Sequence, residues 1–206
     1  MPRKPVRSTG VARYEGLLDA LEEVLTAKEP EDVSLRELAR AADAPVASVY
    51  HFFPTMSAAL VALAERHMQK FVDLNAEPFE IDGLESWEDF VVMASERARA
   101  YYNAHPLVLK LILGPEQSWS IRDMDLQNNH RLAQFFFEAA THYFDIPTSE
   151  ALLDRFEIAI TMTDSIWALS YARHGTITDD LAREGQRAAI SYLRGYLPAY
   201  APKRAN

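Results

Sequence analysis

The residues whose types and spacing could recognise something lie in the run Val33-Ser-Leu-Arg-Glu-Leu-Ala-Arg-Ala-Ala-Asp-Ala-Pro-Val-Ala-Ser-Val-Tyr-His-Phe-Phe53. The spacing predicts two short helices around a tight turn. Ser34 opens the first as an N-cap, with Glu37 three residues on as its reciprocal partner in a capping box, and Leu35, Leu38, Ala39 and Ala42 turn inward. Asp43 falls where the chain must reverse, a position that often needs a left-handed backbone, which Asp tolerates better than most residues. Ala44 and Val49 fill the angle between the helices. Pro45, Val46, Ala47, Ser48, Tyr50 and His51 are left on the open side of the second helix, and small residues there let a helix lie deep in a major groove.

Bond-making chemistry finds no footing. The chain has no Cys, which removes disulfides, thiolate metal sites, iron-sulfur clusters and cysteine nucleophiles together. There is no Gly-x-Ser-x-Gly elbow, no P-loop and no Gly-x-Gly pair, and the scattered Asp and Glu lack a paired setting. His105, His130 and His142 form no His-x-x-x-His or Glu-x-x-His pair. Neither a metal nor a cofactor is expected. The alternative to weigh is a helical-bundle enzyme or binding protein that retains a structural helix-turn-helix head.

Charge narrows the partners. Across 206 residues, 21 Lys and Arg face 30 Asp and Glu, a net charge of -9. Residues 1–70 hold nine cations and ten acids, residues 71–206 twelve and twenty, so the two parts carry -1 and -8. A membrane-surface protein needs a strongly basic face, which the acidic body opposes. Met1 to Gly10 carries Arg3, Lys4 and Arg7 without the apolar run of a signal peptide, and no stretch approaches ~18 uninterrupted apolar residues. A soluble, cytoplasmic protein with no membrane partner is expected.

The elements that must position the Val33–Phe53 run are helical throughout, because apolar residues recur at three- and four-residue steps and no hairpin signal interrupts them. The fold class expected is all-α. Helices are predicted near Val11 to Ala27, Ser34 to Ala42, Pro45 to Phe52, and from Thr55 to near Pro78. A body follows, with helices near Ser86 to Ala104, Pro106 to Leu113, Ser118 to Asp145, Thr148 to Arg173 and Thr178 to Leu197. Gly114-Pro115 and Gly175 supply stops, and Thr148 an N-cap. The division expected is a head over residues 1–55 and a larger bundle over 56–206, with the fourth helix joining them.

Over residues 33–60 the sequence resembles the tetracycline-repressor-like (TetR/AcrR) family of bacterial regulators. Leu35-Arg36, Leu38-Ala39, Ala42, Ala44, Val49-Tyr50, Phe52-Phe53 and Leu60 match the family's head in register. Four positions depart from its pattern. Asp43 stands for the usual turn Gly, Pro45 for a Ser, Ala47 for a Gly, and Met56 for a Lys that touches a phosphate at the start of the fourth helix. The resemblance and the helix geometry together nominate Val46, Ser48 and His51 for base edges or groove walls, and Ser34, Arg36, Tyr50 and Thr55 for phosphates. Phosphate contacts position such a head, while base contacts select the site. Arg3, Lys4 and Arg7 form a candidate arm along the backbone or minor groove.

The resemblance implies a homodimeric regulator of a double-stranded DNA operator, most often a repressor, released by a small, largely hydrophobic effector. A single helix-turn-helix head reads few base pairs, so dimers engage half-sites about one turn, ~34 Å, apart. The last two helices suit a dimer bundle, through Phe156, Trp167, Gly185, Ala188 and Tyr192. The body also mixes aromatics with polar groups, among them Tyr102, Asn128 and Asp164, as pockets between bundle helices do. Tyr101, Trp119, His130, Gln134, Phe137, Met162 and Trp167 are the effector candidates.

Overall fold

The computed structural model describes residues 1–77, 79–80, 83–114 and 118–204. Among them are nine α-helices, one 3-10 turn and no strand, so the expected all-α class is the one observed. The chain forms two compact units, Met1–His67 and Met68–Asn206.

The first unit contains α1 (Ser8–Ala27), a 3-10 turn over Pro30–Asp32, α2 (Leu35–Ala41), α3 (Val46–Phe52) and the beginning of α4 (Met56–Ala76). Leu17, Leu18 and Leu21 of α1, Leu38 of α2, Val49 of α3, and Phe53 and Leu63 are fully buried and make the core of this unit. The Tyr14 ring packs edge-on to Phe52 and tilted to Phe53, at 5.6 and 5.1 Å between centroids, tying α1 to the end of α3. Burial, then the charges of Glu65 and Glu15, push the Tyr14 hydroxyl up to about 12. α1 begins at Ser8 rather than Val11, because Gly10 and Val11 donate their amides to the Arg7 carbonyl and draw the start back.

In the second unit α5 (Trp87–Ala104), α6 (Pro106–Leu113), α7 (Trp119–Tyr143), α8 (Glu150–His174) and α9 (Asp179–Leu193) form the bundle. Ser86 and Asp89 close a capping box on α5, Ser118 caps α7, and Pro106 opens α6 where its missing N–H costs nothing. The cap of α8 is Ser149, whose Oγ accepts from the Leu152 amide at 3.2 Å, and not the neighbouring Thr148. Gly175 ends α8 with φ 69°, as a left-handed C-cap does. α9 stops at Leu193, short of the expected Leu197, since the chain passes through Arg194-Gly195 in a turn; Leu197 still returns to the core. Pro78 and Pro115, two of the expected helix stops, lie outside the described residues.

Trp87, Phe90 and Phe144 are the largest fully buried side chains of this unit, and Phe156, Ala189 and Leu193 join them. α8 and α9 run against each other with Gly185 at the crossing. A Cβ there would sit 3.1 Å from Thr163 Cγ2 and from Trp167 Nε1.

Candidate functional site

The turn between α2 and α3 begins at Ala42, whose amide still bonds the Leu38 carbonyl at 2.9 Å. Asp43 then takes φ 45°, and the Ala44 amide reaches back to the Ala39 carbonyl at 2.9 Å. This is the left-handed reversal its position demanded. Pro45 supplies the extended N-cap of α3, with its carbonyl accepting from the Ser48 amide at 2.8 Å. Ser34 caps α2 by accepting from the Glu37 amide at 3.2 Å. The reciprocal half of the expected box does not form, because the Glu37 carboxylate is paired with Lys28.

Inside the hairpin Val49 is fully buried and Phe52 nearly so, which fixes the rotation of α3. The opposite face is open: Val46 is 43% and Tyr50 46% exposed, Ala47 and His51 are exposed, and Ser48 is half-buried. Arg36 and Ser34 are exposed on α2. Thr55 is exposed at the head of α4, where its Oγ accepts from the Ala58 amide at 3.1 Å. Met56 brings no cation there. Six of the seven nominated residues, on or at the ends of α2, α3 and α4, are thus exposed, and Ser48 is half-buried.

Ion pairs tie up part of the charge of this unit. Asp19 and Glu22 are spent on Arg66 at 2.6 Å each, Glu37 on Lys28, and Glu65 on Lys4. Arg13 and Arg36 have no carboxylate partner among the described residues, the Arg40 charge acts on Glu37, and Arg13 Nη1 lies 3.4 Å from Ser48 Oγ. Sequence reasoning missed Arg13 as part of this surface. Its signal was a cation on the polar face of α1, and only packing reveals which neighbour that face meets. The N-terminal residues do not extend as a free arm: the Arg3 amide bonds the Phe52 carbonyl at 2.9 Å, and Lys4 reaches Glu65.

The second unit holds a largely apolar cavity of about 80 Å³, walled by Phe71, Phe90, Phe136, Phe156, Ile160 and Trp167 among others. Its polar wall comes from Ser95, Tyr102, Asn129, Thr163 and Asp164. Asn129 Nδ2 donates to Asp164 Oδ2 at 2.7 Å, and Arg122 Nη1 to Asp125 Oδ2 at 2.9 Å. Burial, then the charge of Asp164, pushes Asp125 up to about 8, and burial pushes Asp164 up to about 6. The Tyr102 hydroxyl is raised well above its usual value by burial and then by Asp164.

Of the seven effector candidates, Trp167 lines this cavity. Tyr101 stacks on His105 at 4.4 Å between centroids, Phe137 packs edge-on against Phe156, and Met162 is half-buried on another face of α8. Trp119 is 80% exposed at the start of α7. His130 and Gln134 are exposed, with His130 Nδ1 2.7 Å from Glu157. The wall is built instead by Phe136, Asn129 and Leu132, from the adjacent face of α7. Of the dimer candidates, Phe156, Trp167 and Gly185 are buried within the chain, and Ala188 and Tyr192 are half-exposed. Gly185 gives close approach to α8 of its own chain. The outward stripe of α8 carries Ile158, Ser165, Leu169 and Ala172. No group of His, Asp and Glu among the described residues could hold a metal ion.

Residues 17–63 match the model of bacterial regulatory proteins of the tetR family, and residues 85–196 that of the tetracyclin repressor-like C-terminal domain. No curated protein matches the sequence. Among solved structures, the chain is similar to a TetR-family transcriptional regulator from Streptomyces coelicolor, with 19% identity, 90% of this chain and 98% of that one covered, and a TM-score of 0.67. A TetR transcriptional regulator from Rhodococcus sp. RHA1 gives 20% identity over 91% and 98%, with a TM-score of 0.68. SmeT, the repressor of the Stenotrophomonas maltophilia multidrug efflux pump SmeDEF, gives 15% identity over 92% and 93%, with a TM-score of 0.62.

Proposed function

Because the chain belongs to the tetR family of bacterial regulatory proteins, whose members are DNA-binding transcriptional regulators and not enzymes, we propose that it is a homodimeric repressor released from its operator by a small, largely hydrophobic effector. The observation that carries this reading is the uncovered face of α3. Its rotation is fixed by buried Val49 and Phe52, and Arg13 and Arg36, free of carboxylate partners among the described residues, lie on this unit. Val46, Ser48 and His51 meet the base edges. Ser34, Arg36, Tyr50 and Thr55 hold phosphates, with Arg13 beside Ser48 as a further cation. The repressor SmeT shares the fold, which supports the same sense of control. No single described helix is long and apolar enough to cross a membrane, in keeping with work in the cytoplasm where the DNA is.

The dimer forms through the outward faces of α8 and α9, with Ile158, Leu169, Ala188 and Tyr192 between the protomers. The cavity supplies the trigger. At about 80 Å³ it is well below the ~300 Å³ of an ordinary ligand pocket, so an effector must displace its walls. Phe156, Ile160 and Trp167 of α8 form one wall, and the other side of α8 is the dimer face. Phe71 of α4 forms another, and α4 begins at Met56 beside the DNA-binding helices. An effector that favours a widened cavity thereby biases the separation of the two heads and lowers operator affinity.

The test begins by enriching a binding site from random duplexes with the wild-type dimer, then titrating that site against variants. Ser48→Arg and Tyr50→Ala each weaken binding about tenfold or more, and Arg13→Ala lowers the slope of log affinity against log salt by about one. Undiminished binding by both α3 variants overturns the assignment of the recognition helix.

A further inference from the structure

The effector cavity is lined by one acid, Asp164, that makes no salt bridge among the described residues. Asp164 is 6% exposed and lines the cavity, and among the described residues its hydrogen bond comes from the neutral amide of Asn129. The nearby guanidinium, Arg122, is engaged with Asp125. Two buried carboxyls therefore share one cation. Two further polar atoms of the cavity residues, Ser95 Oγ and Trp167 Nε1, are buried with no hydrogen-bond partner. The remaining wall is aromatic and aliphatic. Asp164 also borders a groove of about 470 Å³ lined by Leu113, Arg122, Ser165 and Leu169.

Building on the effector reading above, we infer that the cavity receives an amphipathic amine, with its apolar body against Phe90, Phe136 and Phe156 and its protonated nitrogen at Asp164. A neutral apolar ligand adds no partner to the carboxyl beyond Asn129. An anion places a second negative charge against the buried Asp164 carboxylate, which low-dielectric surroundings penalise heavily. An ammonium supplies a cation in direct contact with the carboxylate and up to three donors, and a charge-assisted hydrogen bond is about twice as strong as a neutral one.

Phenethylamine, phenethyl alcohol and propylbenzene differ at one terminal group, and a single ring suits a cavity this small. Their affinities for the full-length wild-type protein are measured by titration calorimetry at neutral pH. Phenethylamine is expected to bind about tenfold tighter than the other two, the ratio that one hydrogen bond to a charged group supplies. Asp164→Asn is expected to remove that preference while keeping propylbenzene binding. Equal affinity of the three probes for the wild type overturns the amine assignment and leaves the effector reading standing, as does a preference that persists in Asp164→Asn. Binding of none of the three overturns both. Should Asp164→Asn fail to fold, Phe136→Trp serves instead: it fills the cavity and must abolish phenethylamine binding, and retained binding overturns the site.

Discussion

Asp43 sits in the left-handed region at φ 45°, a conformation that costs an L residue roughly 1–2 kcal/mol and glycine nothing comparable. Asp43→Gly is therefore expected to leave the hairpin intact and raise stability by about 0.5–1 kcal/mol, whereas Asp43→Val lowers it by about 1 kcal/mol or more. Urea denaturation of the two variants checks both signs, and an unchanged midpoint for Asp43→Val contradicts the strain argument. This residue was legible in advance because the turn's length and its small neighbours leave few backbone routes. Trp119 was not: its aromatic character suggested a wall, yet the first turn of a helix has no neighbour on its outer side, and the ring is exposed. Glu37 shows a third kind of result, since the cap spacing was right but a lysine nine positions away in sequence, Lys28, took the carboxylate.

At the scale of elements, helix boundaries follow from local chemistry, and local chemistry is in the sequence. Ser34, Ser86 and Ser118 cap where hydroxyls precede apolar periods, and Gly175 ends α8. Facing is harder to read. Phe136 and Phe137 are about 100° apart around α7, and only the position of α5 and α8 decides that Phe136 lines the cavity while Phe137 packs on Phe156. Small residues in α9 were similarly ambiguous, since close approach by a partner and by a neighbouring helix make the same demand. Gly185 answers to α8 within the chain. Gly185→Leu is expected to force Thr163 and Trp167 from their packed positions and cost about 1–3 kcal/mol, read as a lowered thermal midpoint. Unchanged stability would mean that the crossing of α8 and α9 is looser than the 3.1 Å approach implies.

For the molecule as a whole, the acidic body has a consequence for pH. Asp125 and Asp164 hold their protons to about 8 and about 6 in the folded state, above the ordinary carboxylate range, while the unfolded chain releases them near ~4. The folded state therefore binds more protons between these limits, and this contribution to stability, fully present below ~pH 4, is lost as pH rises toward about 8. Asp125→Asn is expected to flatten the fall of the thermal midpoint between ~pH 5 and ~pH 8, and a fall as steep as the wild type's contradicts the assignment to this pair. The central claim, that two copies of α3 enter successive major grooves, is tested most directly by dimethyl sulfate protection on the enriched duplex, because the reagent marks guanine N7 in the major groove and adenine N3 in the minor. The account predicts guanine N7 protection in two symmetric half-sites one helical turn, ~34 Å, or a multiple of it apart. Protection confined to adenine N3, or to a single half-site, contradicts it.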